Sequence, residues 1–273
     1  MSHAALSADR LIARLGIMDR SDLLLLEEIA WTRGVLVKEG ILEGAEARLV
    51  MARGRGIITL SSAIRDLRRK RFSIAHELGH FEMHRTQRGL SLCLSEDIKD
   101  SVGKHTGQDL EQEANEFAAA LLLPARFFAP LCKKEVPSLE YVCELAENFS
   151  TSLTATALRY VKFCEEPVAV VFSQGSHIKW FQGSKDFEDL REELGFFIDV
   201  RAKLDQSTLA SALFQGRNRL SNKKVQASAW FTPGRYRDNA RLLEHSIAMP
   251  AFDAVLTLLW VDEELEDDDA YAY

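Results

Sequence analysis

The residues of this chain whose types and spacing could do chemistry sit at positions 76–80, His76-Glu77-Leu78-Gly79-His80. Two histidines four apart on a helix lie one turn above each other on the same face, so both imidazoles can reach one metal ion. A glutamate beside the first histidine can hold a water and take its proton. H-E-x-x-H is the pattern of a zinc-dependent peptidase. Zinc in a hydrolytic site takes three protein ligands and leaves one position open, so a third ligand has to come from elsewhere in the chain.

A third histidine would have to continue the pattern as H-E-x-x-H-x-x-G-x-x-H. The chain reads His80-Phe81-Glu82-Met83-His84, without the glycine and with the wrong spacing. His84 is therefore not a ligand of that type and reads as a partly exposed histidine. The other source is a glutamate on a second helix. Residues 109–123 have a helical pattern ended by Pro124 and offer Glu111, Glu113 and Glu116. Glu113 stands four residues before Phe117, near Ala114, Ala118 and Leu121, on a face apolar enough to pack against the first helix. A carboxylate on a buried face needs a partner, and a metal is a good one. Glu111 and Glu116 look better suited to solvent.

The elements that must position these residues read as follows. Asp22 to Arg33 has helical spacing and Gly34 stops it. Residues 47–52 and 56–60 are two strands joined by a turn at Arg53-Gly54-Arg55-Gly56, so a small sheet precedes the motif. Arg65 to Arg71 carries five basic residues in seven. It reads as a solvated loop or the exposed start of a helix, with contact to an acidic substrate or nucleic acid as the functional alternative. Ser73 is a plausible N-cap for the motif helix. Residues 85–108 read as an irregular connection.

Two blocks carry a family resemblance. Arg71-Phe72-Ser73-Ile74-Ala75-His76-Glu77-Leu78-Gly79-His80 and Glu113-Ala114-Asn115-Glu116-Phe117-Ala118-Ala119-Ala120-Leu121-Leu122-Leu123-Pro124 resemble the ImmA/IrrE family of metallo-endopeptidases over about residues 20–165. The resemblance implies zinc at His76, His80 and Glu113, with Glu77 as the catalytic base. It further implies cleavage of a helix-turn-helix transcriptional repressor, often encoded beside the peptidase, with release of stress-response or mobile-element genes. Arg71, His84, His105 and Tyr141 are candidate oxyanion donors.

The remaining sequence bounds the setting. With 273 residues, 47% of them hydrophobic, the chain can bury one large or two ordinary cores. A net charge of −7 argues against a protein that chiefly wraps nucleic acid. Four cysteines without a C-x-x-C pair indicate reduced thiols rather than a cysteine zinc site. No N-terminal h-region or long apolar span is present, so the expected compartment is the cytoplasm and no membrane partner is expected.

The expected architecture is α+β: a zincin-like peptidase unit over 1–130, a helix-turn-helix-like segment over 131–165, a C-terminal α+β domain over 166–261 for sensing or substrate recognition, and an acidic disordered tail over 262–273. In the middle segment, Leu139 to Phe149 and Leu153 to Phe163 are two helices split by Ser150-Thr151-Ser152. This raises an alternative function, a zinc-containing protein- or DNA-binding module without peptidase activity. Arg159 and Lys162 are the only bases within the second helix, which is poor for phosphate contact. In the last domain, residues 168–172, 177–181, 225–231, 242–248 and 254–261 read as strands, and 186–215 as partly helical.

Overall fold

The structure is a computed structural model that describes residues 2–84, 91–94, 106–133, 136–216 and 220–261. The candidate donor His105 and the tail 262–273 lie outside the described residues. The chain divides into two compact units, Met1–Phe128 with Ala146–Ala155, and Ala129–Leu145 with Thr156–Tyr273.

The first unit opens with helix α1 (His3–Arg14), whose N-terminus is capped by the Ser2 hydroxyl accepting from Ala5 N–H at 3.2 Å. Ala4, Ala5, Ala8, Leu11 and Ile12 form its buried stripe. This helix goes unpredicted above because a stripe built mostly of alanine is a weak hydrophobic signal. A 3₁₀ turn (Arg20–Leu24) and helix α2 (Leu26–Thr32) occupy the stretch expected to be one helix. The break falls at Leu25, whose φ of −93° and ψ of 50° are not helical.

The sheet that follows comprises β1 (Val35–Gly40), β2 (Ala45–Ala52), β3 (Arg55–Ser61) and β4 (Ser91–Leu94), in the spatial order β1-β3-β2-β4. The expected hairpin joins β2 and β3. Arg53 and Gly54 both have positive φ, 50° and 75°, the left-handed pair that a two-residue hairpin turn requires. β1 pairs with β3 in parallel, and β4 pairs with β2 from within the stretch expected to be irregular. Val35, Ala47, Leu49, Ile58 and Leu60 line the buried face.

Helix α3 (Leu67–Met83) packs on β2 and β3, and α4 (Thr106–Leu122) packs on α3 and α1. The cap of α3 is Asp66, which accepts from Arg69 N–H at 3.0 Å, not Ser73, which lies inside the helix and is buried. The basic run is therefore the first turns of this helix. Three of its charges are paired within the unit: Arg68 with Glu147, Arg69 with Glu46 and Lys70 with Glu39. Arg71 is buried and donates to the carbonyls of Leu23, Leu24 and Ser150.

Helices α5 (Ala125–Cys132), α6 (Leu139–Phe149) and α7 (Leu153–Phe163) come next. The expected helix pair is present, and its link includes Ser150 at φ 51°.

The second unit holds an antiparallel sheet of β5 (Val168–Gln174), β6 (His177–Gly183), β7 (Leu220–Gln226), β8 (Arg241–Met249) and β9 (Ala254–Trp260), in the order β6-β5-β9-β8-β7. Helices α8 (Lys185–Leu194) and α9 (Leu209–Phe214) accompany it. The strand expected at 225–231 instead ends at Gln226, and Ala227–Ala229 turns as a 3₁₀ helix. Ala227, Trp230 and Phe231 leave the ladder and fill the core, which is where an apolar run without alternation is satisfied. Glu244 is wholly buried and accepts from Leu209 N–H (3.0 Å), Ala210 N–H (2.8 Å), Trp230 Nε1 (3.2 Å) and the Ser246 hydroxyl (3.0 Å). Burial raises its pKa, and those four donors pull it back. The α+β class expected from sequence is the one observed.

Candidate metal centre

Helix α3 presents His76, Glu77 and His80 at the interface with α4, and all three are buried. Gly79 is what lets the two helices approach so closely. A Cβ at Gly79 would stand 3.0 Å from Cδ1 and 3.2 Å from Cβ of Phe117, a fully buried ring on α4. The residue that needs this glycine is thus Phe117.

Across that interface the acid facing the two histidines is Glu111. Its Oε2 lies 3.1 Å from His76 Nε2, its Oε1 lies 3.2 Å from His80 Nε2, and the two Nε2 atoms are 3.1 Å apart. Ligand atoms about 2.0–2.2 Å from one ion stand about 3.0–3.5 Å from each other, so this spacing fits a shared cation. Among the described residues, His76, His80 and Glu111 form the one cluster with metal-holding geometry. Glu113, the acid expected from sequence, is not brought to the pair. Its Oε2 lies 3.0 Å from His84 Nε2. The reason is helical phase. Glu111 shares a row with Asn115 (i+4) and the buried Ala118 (i+7), whereas Glu113 falls on the flank that carries Phe117. Asn115 is the sequence signal for this row: its Oδ1 accepts from His76 Nδ1 at 2.9 Å, one turn beyond Glu111.

The unpaired atoms also fit a cation. Both oxygens of the Glu77 carboxylate are buried without a hydrogen-bond partner. Burial, reinforced by the charge of Glu111 and opposed by His76, pushes Glu77 up to about 7. Burial would also raise Glu111, but the hydrogen bonds and charges of His76 and His80 outweigh it and hold Glu111 at about 2. Burial holds His80 below the usual imidazole range. An ionised carboxylate beside a neutral imidazole suits a divalent cation.

The candidate oxyanion donors are otherwise engaged. Arg71 serves three carbonyls, His84 bonds to His80 and Glu113, and the Tyr141 hydroxyl donates to the Leu131 carbonyl at 3.1 Å.

Residues 33–160 match the family model for the IrrE N-terminal-like domain, Peptidase_M78. These residues form a domain of that family. The motif helix and the Glu111 helix lie inside the matched span, so the first unit's small sheet and the two helices that carry the His76, His80 and Glu111 cluster form a zincin-like arrangement. The radiation response metalloprotease IrrE of Deinococcus radiodurans is 31% identical over 118 residues, which are 43% of this chain and 34% of that protein. The chain thus spans about a third of that relative's length. A solved structure, a transcriptional regulator of Mycobacterium tuberculosis, shares the fold with a TM-score of 0.64 at 14% identity, over 96% of this chain and 77% of that one.

Proposed function

We propose that this chain is a zinc-dependent endopeptidase that cuts a regulatory protein, with a helix-turn-helix transcriptional repressor as its substrate. One observation carries the reading: two imidazoles and a carboxylate converge within 3.2 Å of one another beside a buried glutamate whose oxygens have no partner. His76, His80 and Glu111 would hold the ion. In place of the Glu113 expected from sequence, the proposed third ligand is Glu111. A zinc ion bound there supplies a Lewis acid that polarises a scissile carbonyl and acidifies a water. Glu77, raised by burial toward neutrality, is matched to take a proton from that water and deliver it to the leaving amine. Asn115 orients His76 through its Nδ1–H.

The repressor as substrate rests on the family resemblance. The fold shared with a protein titled transcriptional regulator suits a regulatory setting. Among the described residues no helix is long and apolar enough to cross a membrane, and the proposed compartment is the cytoplasm. The DNA-binding alternative loses its main base, because Arg159 is buried with its guanidinium 4.8 Å from the Phe163 ring. The test is incubation of the zinc-loaded protein with helix-turn-helix repressors from its own genome. Glu77→Gln should retain zinc and lose cleavage by about 10²-fold or more. Cleavage retained in that variant refutes the peptidase reading.

A further inference from the structure

We infer that His84 and Glu113 are positioning residues for His80: together they fix which ring nitrogen of His80 carries the proton and so leave Nε2 free to bind the metal. The inference rests on the metal-site reading above and deepens it.

The geometry is a chain of two hydrogen bonds. His80 Nδ1 lies 2.9 Å from His84 Nδ1, and His84 Nε2 lies 3.0 Å from Glu113 Oε2. Both histidines are buried, while the Glu113 side chain is 43% exposed, so the chain starts at the metal pocket and ends in solvent. Two ring nitrogens facing each other at hydrogen-bond distance share one proton, and one of them must be bare. An ionised carboxylate can only accept, so the proton at the Glu113 end belongs to His84 Nε2. In the neutral ring that leaves His84 Nδ1 as an acceptor. His80 Nδ1 must then carry the proton that it donates to His84. The remaining nitrogen, His80 Nε2, is a lone pair standing 3.1 Å from His76 Nε2 and 3.2 Å from Glu111 Oε1.

The opposite order would put a hydrogen on His80 Nε2, aimed into the space the ion needs. With a neutral His84 ring, the carboxylate at the far end of the chain excludes that order. The same two contacts explain why His84 is not itself a ligand: each of its nitrogens is committed. They also give each of three α4 residues a separate task. Glu111 faces the ion, Asn115 sets the His76 ring, and Glu113 sets the His80 ring at one remove.

The test uses the full chain and two readouts. Zinc affinity is measured by competition with a chromophoric chelator in the wild type, His84→Ala, Glu113→Ala, Glu113→Gln and the double variant His84→Ala/Glu113→Ala. The proton position on His80 is read in the metal-free protein by long-range ¹H–¹⁵N imidazole NMR. The expected result is a His80 Nδ1–H ring in the wild type and a loss of zinc affinity of about 10–100-fold in His84→Ala and Glu113→Ala. Glu113→Gln should restore most of that loss, because its amide oxygen accepts the same bond. The double variant should be no worse than His84→Ala, since the two residues act in series. Glu113 is half exposed, so its variants report even where His84→Ala fails to fold. Wild-type affinity in Glu113→Ala, or an Nε2–H ring on His80 in the wild type, overturns the inference. A wild type that binds no zinc overturns the metal-site reading instead, and the NMR measurement still decides the inference.

Discussion

In the metal-free protein, exchanging Glu77 for glutamine should shift stability in the variant's favour as pH rises from 5 to 8. The Glu77 carboxyl is ordinarily half-ionised near 4.5 but is pushed up to about 7 in the folded chain, chiefly by burial. Between those values the unfolded chain has released its proton while the folded chain keeps it. The unfolded state therefore binds fewer protons, and folding stability falls as pH rises through the window, flattening above about 7. The full difference corresponds to about 3 kcal/mol, of which about 2.5 kcal/mol falls between pH 5 and 8. Glutamine does not titrate, so any cost of its own buried amide is the same at both pH values. The assay is hydrogen exchange of the α3 amides in excess chelator, corrected for intrinsic rates, for both proteins at both pH values. The stability gap should move by about 2.5 kcal/mol toward Glu77→Gln. Saturating zinc should shrink that movement, because a cation beside the carboxylate favours its ionised form. Parallel pH curves for the two proteins would refute the buried, partnerless placement of Glu77.

Three further changes probe the frame around the site. Gly79→Ala should gain about 1 kcal/mol in helix propensity but lose about 1–3 kcal/mol to crowding against Phe117. The expected net result is a lower denaturation midpoint and weaker zinc binding, and a stabilised variant would contradict the close packing of α3 on α4. Arg71→Lys should cost about 2–3 kcal/mol, because an ammonium cannot serve the Leu23, Leu24 and Ser150 carbonyls together, and an unchanged urea midpoint would rule that bridging role out. Glu244→Ala should cost the second unit about 3–5 kcal/mol by stranding the N–H groups of Leu209, Ala210 and Trp230, with tryptophan fluorescence during denaturation as the measure.

What was legible in the sequence was what depends on local spacing. The His76/His80 pair, the β2–β3 hairpin with its Arg53-Gly54 turn and the α6–α7 pair all follow from period and turn chemistry. What was not legible depends on which partner a residue meets. Asp66 and Ser73 are equally competent caps, and the earlier start goes with the ion pairs of Arg68, Arg69 and Lys70 and the three carbonyl bonds of Arg71. Glu111 and Glu113 lie two apart on one helix, so choosing between them needs the orientation of α4 about its axis. Apolar neighbours favour Glu113, while the polar Asn115, which shares the Glu111 row, marks the side facing His76 and His80. His84 reads from sequence as a partly exposed histidine because its burial comes from α4, which lies across a long stretch of chain.

The separation of Glu111 from His80 has a consequence for how this domain tolerates change. An ion held by both residues, as proposed, would act as a removable staple across 31 positions of chain. The entropy cost of closing such a span grows only with the logarithm of its length, so doubling it costs about 0.6 kcal/mol. With such an ion bound, insertions between the two helices that leave the β4–β2 pairing intact would be cheap.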